Sequence, residues 1–206
     1  QAAQQQRRTA AWEEAVRTEG IKAPDTEAFR RWFGDSKVVD AEGNPLVVYH
    51  GTESDFSRFD PKMQRGLGGA LGFWFASRPE AAEPFARQRT ADGGPNIMPV
   101  RLAIRNPMEY AGHAAFAEAV QQSKGGTIEA RAKALRRSLR RQGYDGIVVR
   151  NSTSDSGVER DDWVAFDPTQ VKSATGNIGT FNPTDPSIIR EEGPAHAATV
   201  PSAAGP

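Results

Sequence analysis

The stretch Gly72-Phe73-Trp74-Phe75-Ala76 decides the fold, because it is too short and too aromatic to be anything but a strand. Alternation along a strand places Phe73 and Phe75 on one face and Trp74 on the other. If the two phenylalanines fill a core, Trp74 faces a helix or a cleft. An aromatic surface in a cleft suits a flat, electron-poor ring such as a pyridinium. The alternative is a sheet that is buried on both faces.

The sequence on either side of this strand indicates helices and further strands. A helix is expected from Pro79 to about residue 89, and Arg65-Gly66-Leu67-Gly68-Gly69 reads as a flexible loop. Apolar spacing predicts helices at 26–33, 114–120 and 128–141, and strands at 37–40, 45–50, 97–105, 145–149, 163–166 and 171–174. Strands and helices do not alternate regularly, so the predicted fold class is α+β, with antiparallel strands and peripheral helices.

Composition excludes several classes of protein. The 26 basic side chains balance the 26 acidic ones, which removes the main electrostatic argument for a dedicated nucleic-acid binder. No run approaches the roughly 18 apolar residues that span a bilayer, so we expect a soluble protein. The absence of cysteine excludes a disulfide scaffold, a thiol nucleophile and a cysteine-ligated zinc site, and leaves the redox compartment open.

Composition also divides the chain into three parts. Residues 1–25 read as a linker with an N-terminal helix, residues 26–175 as one folded domain, and residues 176–206 as a mostly disordered tail rich in Pro, Ala and Gly. The sequence has neither an initiator Met nor a signal-peptide pattern, so we expect a fragment of a longer protein.

A second motif, Tyr49-His50-Gly51-Thr52, ends an apolar strand. A histidine at a strand end holds two ring nitrogens at the margin of the sheet, where a polar group of a ligand can reach them. The adjacent glycine lets another group approach the backbone closely. The alternative is a solvated histidine in a turn.

A third motif, Asp161-Asp162-Trp163, brings acidic residues into a strand. Such residues are either exposed or poised at a site. A carboxylate at the margin of a sheet can stabilise an oxocarbenium-like centre, as the carboxylates of glycoside hydrolysis do. Plain solvation is the alternative.

In chain order, the three motifs resemble the H-Y-E class of ADP-ribosyltransferases, which includes diphtheria toxin and the poly(ADP-ribose) polymerases. The resemblance is closer to the ADP-ribosyltransferase domains of phage and mobile-element polyvalent proteins. The closer match covers roughly residues 26–187. It is carried by four runs: Arg31-Trp32-Phe33-Gly34-Asp35-Ser36-Lys37-Val38-Val39-Asp40, Val47-Val48-Tyr49-His50-Gly51-Thr52, Phe166-Asp167-Pro168-Thr169-Gln170-Val171-Lys172-Ser173 and Gly179-Thr180-Phe181-Asn182-Pro183. It implies split antiparallel sheets with peripheral helices. It also implies an NAD-dependent mono-ADP-ribosyltransferase of the toxin or effector type, acting in the bacterial cytoplasm.

The resemblance assigns NAD-binding roles by position. His50 would bond the adenosine ribose, Gly51 would hold the nicotinamide carboxamide through its backbone, and Thr52 would support that turn. Trp74 stands where the class has its strand tyrosine beside the nicotinamide, and Phe85 where many members place a second stacking aromatic. The loop Arg65–Gly69 lies where members of the class carry a loop over the NAD, so Arg65 would contact the NAD. The class needs neither a metal nor a covalent nucleophile.

Two positions depart from the class. Asp162 stands for the catalytic glutamate, which binds the nicotinamide ribose and stabilises positive charge as the glycosidic bond breaks. Asp is one methylene shorter, and a displacement of about 1 Å can cost on the order of 100-fold in rate. Asp161 or Glu159 is the alternative carboxylate. Ala82 falls where several members have a serine that bonds the carboxamide, so that contact looks missing.

The substitutions keep other functions open, namely a catalytically weak or dead NAD-binding module, an NAD glycohydrolase, or a structural domain of a larger polyprotein. The acceptor of ADP-ribose is a protein or a nucleic acid that the sequence does not identify. A basic stripe on the helix at 128–141 predicts contact with an acidic surface, either a nucleic-acid acceptor or a neutralising partner, unless it is only a solvated face. The stripe consists of Arg131, Lys133, Arg136, Arg137, Arg140 and Arg141.

Overall fold

The computed structural model describes residues 21–52, 56–62, 66–86, 96–153, 157–177 and 181–189, without the side chains of residues 83–86 and 96. Five α-helices lie in these ranges: α1 (Glu27–Phe33), α2 (Gly66–Leu71), α3 (Pro79–Ala86), α4 (His113–Gln122) and α5 (Ile128–Arg141). None of these helices is both long enough and apolar enough to cross a bilayer. The predicted N-terminal helix falls within residues 1–25, of which 1–20 lie outside the described chain.

Seven strands form one sheet. They are β1 (Val48–Thr52), β2 (Phe73–Ala76), β3 (Asn96–Leu102), β4 (Pro107–Tyr110), β5 (Gly146–Thr153), β6 (Glu159–Ala165) and β7 (Val171–Ser173). Their order is β4-β5-β6-β2-β1-β3-β7, and every pair is antiparallel except β4 with β5. This confirms the predicted α+β class with mostly antiparallel strands.

The predicted division into split sheets is wrong, because β1 and β2 join the two halves into one sheet. The junction is narrow, however. Tyr49 and Ala76 form its single register pair, whereas five register pairs connect β1 with β3 and four connect β2 with β6. The sheet is therefore continuous only through one point near its middle.

Each face of the sheet carries its own hydrophobic core. Phe73, Phe75 and Trp163 lie in the core of one face, which we call the phenylalanine face. Trp74 and Val164 lie on the opposite face, the helical face, whose core includes buried side chains of α2, α4 and α5. The alternation expected for the strand at 72–76 is thus observed, and both faces of the sheet are covered.

Helix α1 begins and ends as its sequence predicts. The hydroxyl of Thr26 caps it by accepting a hydrogen bond from the Phe29 N–H at 3.1 Å. Gly34 ends it with a φ of 55°, a conformation that favours glycine. The buried rings of Phe29, Trp32 and Phe33 form a third, smaller core.

Two local predictions are wrong. The strand expected at 37–40 is reduced to a single bridge between Val39 and Pro45. The Asp40 carboxylate instead closes the turn by accepting hydrogen bonds from the Glu42 and Asn44 N–H groups, and the bond with Asn44 contributes most to lowering its pKa. The loop expected at 65–69 is a helix from residue 66 onward, because Leu71 and Ala70 are buried under it.

The folded part extends beyond the predicted limit at residue 175. Phe181 is 2% exposed and Ile188 is fully buried, so residues 181–189 belong to the core rather than to a disordered tail. The buried Lys172 fastens this segment by donating hydrogen bonds to the carbonyl groups of Asp185 and Ser187 at 2.7 and 2.6 Å. Residues 190–206 lie outside the described chain.

Candidate active site

The candidate site lies where β1 and β2 part. If their antiparallel pairing continued from Tyr49 and Ala76, Gly51 would lie opposite Trp74, but no described register pair joins Gly51 to β2. The imidazole of His50 spans the gap instead, with its Nδ1 at 2.8 Å from the Trp74 carbonyl oxygen. A hydrogen bond from the His50 side chain therefore takes the place of the backbone pairing between β1 and β2 at this point, which we call a rung of the sheet. We call this gap, bordered by His50, Gly51 and Trp74, the seam.

Its hydrogen bond and its burial fix the protonation state of His50. A carbonyl oxygen only accepts, so we assign the ring proton to Nδ1, which leaves Nε2 as an acceptor. Burial lowers the pKa of His50 below its ordinary value of 6.5, and the bond to Trp74 acts in the opposite direction. His50 is thus a neutral hydrogen-bond acceptor at pH 7.

Aromatic rings hold His50 in place on the phenylalanine face. The His50 ring lies 4.9 Å from that of Phe59, 5.5 Å from that of Phe75 and 6.2 Å from that of Phe56, measured between centroids. Two of these three contacts are edge-on, an arrangement that aromatic rings favour. Residue 50 is therefore oriented by packing.

Trp74 lies across the seam from His50 on the helical face and is partly exposed. Its indole N–H donates to the Gly68 carbonyl of α2 at 3.1 Å, and its ring meets Phe116 edge-on at 5.5 Å. Gly72, at the start of this strand, lets β2 approach β6 closely, since a Cβ there would lie 2.3 Å from the Ala165 carbonyl oxygen. The predicted aromatic is thus anchored by a helix, not by the histidine side of the seam.

Asp162 lies inside β6, on the helical face, and is 7% exposed. It is in register with Ala76, which is itself in register with Tyr49. Arg160, two residues earlier on the same face, places its Nε 2.7 Å from one Asp162 carboxylate oxygen. No described residue donates a hydrogen bond to the other oxygen. The strand begins at Glu159, four residues before the predicted start at 163, so the acidic residues lie within it.

The alternative carboxylates are less favourably placed. Asp161 points to the opposite face, where it pairs with Arg150 at 2.7 Å and accepts a hydrogen bond from the Asn151 N–H at 3.1 Å. Glu159 is exposed at the start of the strand. Asp162 is therefore the acidic side chain of β6 that combines burial with a carboxylate oxygen left open.

The structure brings some of the predicted site residues together. His50, Trp74 and Asp162 lie on three adjacent strands, β1, β2 and β6. Trp74 and Asp162 share the helical face, whereas the His50 ring lies on the other face and reaches Trp74 through the backbone. Gly51 and Thr52 form the half-buried end of β1.

Three other predicted site residues, Phe85, Arg65 and Ala82, have no described contact at the seam. Phe85 lies in α3, but its side chain is outside the described part of the chain, as is all of Arg65. Ala82, where the resemblance implies a lost serine contact, is 2% exposed in the same helix. None of these three residues adds a described contact to the seam.

Comparison with known proteins places the chain in a family. A family model described as an ADP-ribosyltransferase in polyvalent proteins matches residues 40–181. The chain belongs to this family. Membership confirms the resemblance found in the sequence, and it implies NAD as the substrate of the ADP-ribosyltransferase domain.

The other comparisons add little. No curated protein matches the domain. A solved structure described as "Crystal structure of an anti-CRISPR protein" aligns with it at a TM-score of 0.35 and 16% sequence identity, covering 61% of this chain and 91% of that one. A likeness at that level supports no statement about the fold or function of the ADP-ribosyltransferase domain.

Sequence reasoning missed two polar residues of this ADP-ribosyltransferase domain, Arg160, which contacts Asp162, and Ser152, which is in register with Arg160. The Arg160 Nη1 and the Ser152 hydroxyl are buried without a hydrogen-bond partner among the described residues. The two residues are in register across β5 and β6. Alternation from Asp162 would have placed Arg160 on the same face. Ser152 follows a break in the β5–β6 register, so no simple periodicity locates it.

Proposed function

We propose that this ADP-ribosyltransferase domain is an NAD-dependent mono-ADP-ribosyltransferase, which cleaves the bond between nicotinamide and ribose and transfers ADP-ribose to a macromolecular acceptor. The observation that carries the proposal is the seam, where the neutral His50 replaces a rung of the sheet two strands from Asp162. In this proposal the domain acts as a toxin or effector in the bacterial cytoplasm, on a protein or nucleic-acid acceptor.

The seam suits NAD because its residues offer complementary polar groups. When bound, NAD supplies a cationic nicotinamide ring, which takes the bonding electrons and departs as neutral nicotinamide, and a ribose carbon open to attack. The His50 Nε2 accepts a ribose hydroxyl, and Gly51, which β2 leaves without a register pair, offers backbone groups to the carboxamide. Thr52 supports the end of the strand. Trp74 provides the aromatic surface beside the seam.

Asp162 would supply the electrostatic part of catalysis. Arg160 holds one of its carboxylate oxygens, which fixes the group on the helical face and leaves the second oxygen as an acceptor for a ribose hydroxyl. A carboxylate fixed in this way lowers the free energy of positive charge that develops on the sugar, without any rearrangement at the moment of reaction.

The ion pair also favours a second candidate function, a weak or inactive NAD-binding module. The side chain of Asp162 is one methylene shorter than the glutamate of the class, and the positive charge of Arg160 at 2.7 Å opposes cation stabilisation. A domain that binds NAD without transferring ADP-ribose is consistent with both features.

Three measurements test these functions. Calorimetry with the full chain at millimolar NAD reports binding, and chromatography of released nicotinamide reports cleavage. Incubation with labelled NAD and a cell lysate, followed by separation of protein from nucleic acid, then identifies the acceptor class. Label on either fraction supports the transferase. Free ADP-ribose alone indicates a glycohydrolase, binding without cleavage indicates the inactive module, and the absence of binding contradicts every NAD-dependent function.

A further inference from the structure

Helix α5 has one buried and one charged side. Ala132, Leu135 and Leu139 are buried under it, and the Thr127 hydroxyl caps its start by accepting a hydrogen bond from the Ala130 N–H at 3.2 Å. On the outer side, four basic residues are exposed: Lys133, Arg137, Arg140 and Arg141. We call these four residues the basic face. Successive four-residue steps along it rise about 6 Å, so Lys133 and Arg141 are about 12 Å apart along the axis.

The remaining two arginines of the predicted stripe are engaged within the protein. Arg131 donates to the Gly125 carbonyl and to the side chain of Gln121. Arg136 donates to the Phe166 carbonyl, and its guanidinium lies 5.6 Å from the centre of the Phe166 ring. These contacts give Arg131 and Arg136 a structural role within the protein, and no such contact is described for the four residues of the basic face.

The charges of the basic face are not neutralised within the described chain. None of its residues forms an ion pair with a described carboxylate, although Glu129 lies one turn before Lys133 on the same helix. Burial lowers the pKa of the neighbouring Arg136, and the positive charge of Arg140 lowers it further, with Asp167 acting in the opposite direction. The face is thus a local positive field on a chain with zero formal net charge.

Helix electrostatics explain only half of this pattern. Cations in the last turn of a helix interact favourably with its macrodipole, which accounts for Arg140 and Arg141. Lys133 and Arg137 lie further up the helix, beyond the reach of that effect. Their alignment with Arg141 at intervals of four residues therefore points to a shared anionic ligand.

We propose that the basic face binds the sugar-phosphate backbone of nucleic acid. Three of its four residues are arginines, whose planar guanidinium matches phosphate oxygens in a bidentate manner. The face has no large apolar side chain, since Ile189 is the exposed large hydrophobic residue of the described chain. Protein–protein interfaces typically have an apolar centre, whereas contacts with phosphates need none.

Fluorescence anisotropy of a labelled 20-nucleotide single strand of mixed sequence, titrated with the full chain, tests this inference independently of any NAD-dependent activity. We expect sequence-independent binding with a Kd between about 10⁻⁶ and 10⁻⁴ M. Four phosphate contacts give a log–log salt slope of about −2.8, so affinity falls about 50-fold between about 50 and 200 mM KCl. The absence of binding by about 100 µM protein at about 50 mM KCl overturns the inference.

Two variants with the same change in net charge show whether binding depends on the basic face or on the net charge of the protein. Variant K133Q/R137Q/R140Q/R141Q removes the face, and variant K22Q/K37Q/R58Q/K62Q removes four exposed positive charges elsewhere. The first is expected to abolish the salt-dependent binding and the second to retain it, with unchanged circular dichroism for both. Equal losses of binding in the two variants contradict the inference.

A single substitution and a second ligand complete the test. If the first variant does not fold, R137Q alone is expected to reduce the magnitude of the log–log salt slope by about 0.7. Binding of polyglutamate in place of the oligonucleotide would indicate an acidic protein partner and overturn the nucleic-acid inference.

Discussion

The β1 side and the β6 side of the candidate site are built by different forces. On the β1 side, His50 is oriented by the rings of Phe56, Phe59 and Phe75. On the β6 side, Asp162 is oriented by an ion pair with Arg160, and both side chains are about one-tenth exposed. Hydrophobic packing is non-directional, and removing packed atoms lowers the stability of the fold. A buried ion pair, by contrast, is favourable only while both partners keep their charges. Substitutions on the β1 side should therefore affect the stability of the fold through packing, whereas those on the β6 side should affect both the chemistry and the stability through charge.

The largest effect is expected on the β1 side, from Phe59→Ala. Phe59 is 2% exposed and contacts both His50 and Phe75, so its removal leaves a cavity in the core. We expect the free energy of unfolding to fall by about 3–5 kcal/mol. Urea denaturation followed by circular dichroism measures it. Phe56→Ala is the control, because Phe56 is only partly buried and should cost less. Equal losses would contradict the role of packing assigned to Phe59.

On the β6 side, Asp162→Asn should abolish the chemistry, and it should also lower the free energy of unfolding because it leaves the buried Arg160 without its partner charge. The substitution keeps the shape of the side chain and removes its charge, so nicotinamide release should fall by about 10²–10³-fold. Asp161→Asn is the matched control, because its carboxylate lies on the other face and pairs with Arg150. If release falls more with Asp161→Asn than with Asp162→Asn, the carboxylate assignment is wrong.

An intermediate effect is expected from His50→Phe. This variant keeps the aromatic packing of the β1 side and removes both ring nitrogens, so it tests the chemistry of His50 separately from its packing. The loss of one hydrogen bond to the ribose, worth about 1.4 kcal/mol, raises the Kd for NAD about tenfold. Calorimetry measures this change. His113→Phe, at the exposed start of α4, is expected to bind NAD as the unmodified chain does. Unaltered NAD affinity in His50→Phe would remove His50 from the site.

The smallest effect concerns pH. The folded-state pKa of His50 lies below its ordinary value of 6.5, so the unfolded chain binds more protons than the folded chain between those two values. The contribution of His50 to stability is therefore fully present above pH 6.5 and is lost as the pH falls towards the folded-state pKa. We expect the Tm to decrease less in His50→Phe than in the unmodified chain between about pH 7.5 and 5, since each titrating group changes stability by at most about 1.4 kcal/mol per pH unit. An identical decrease in both proteins would show that His50 is not held neutral by burial.

Local signals in the sequence predicted the elements whose stability is local. The cap at Thr26, the glycine after Phe33 and the aromatic alternation of β2 are each contained within a few residues, and the structure has them as expected. The glycine-rich segment at 66–71 reads as a loop because glycine is a poor helix former. Burial of Leu71 and the bond from Trp74 to Gly68 outweigh that propensity, and neither is visible in the segment itself.

Contacts between distant parts of the chain explain the other differences. Ile188 is buried only because Lys172 and the strand bridge at Arg58 hold its segment against the core. The composition of that segment resembles a tail, so composition alone cannot place it in the domain. Similarly, Asp162 pairs with Arg160 because both residues lie within β6, which begins at Glu159. The sequence predicted that this strand starts four residues later, at Trp163.

The single register pair between β1 and β2 has a consequence for how the protein fluctuates. Local opening of a native protein starts where few hydrogen bonds hold a cooperative unit together. The amides of Tyr49 and Ala76 should therefore exchange their hydrogens with solvent by a lower-energy opening than those of the β5–β6 pairing, which has six register pairs. A ligand that contacts both β1 and β2 would reinforce this weakly hydrogen-bonded boundary, and slower exchange on both sides would record its binding without any change in the average structure.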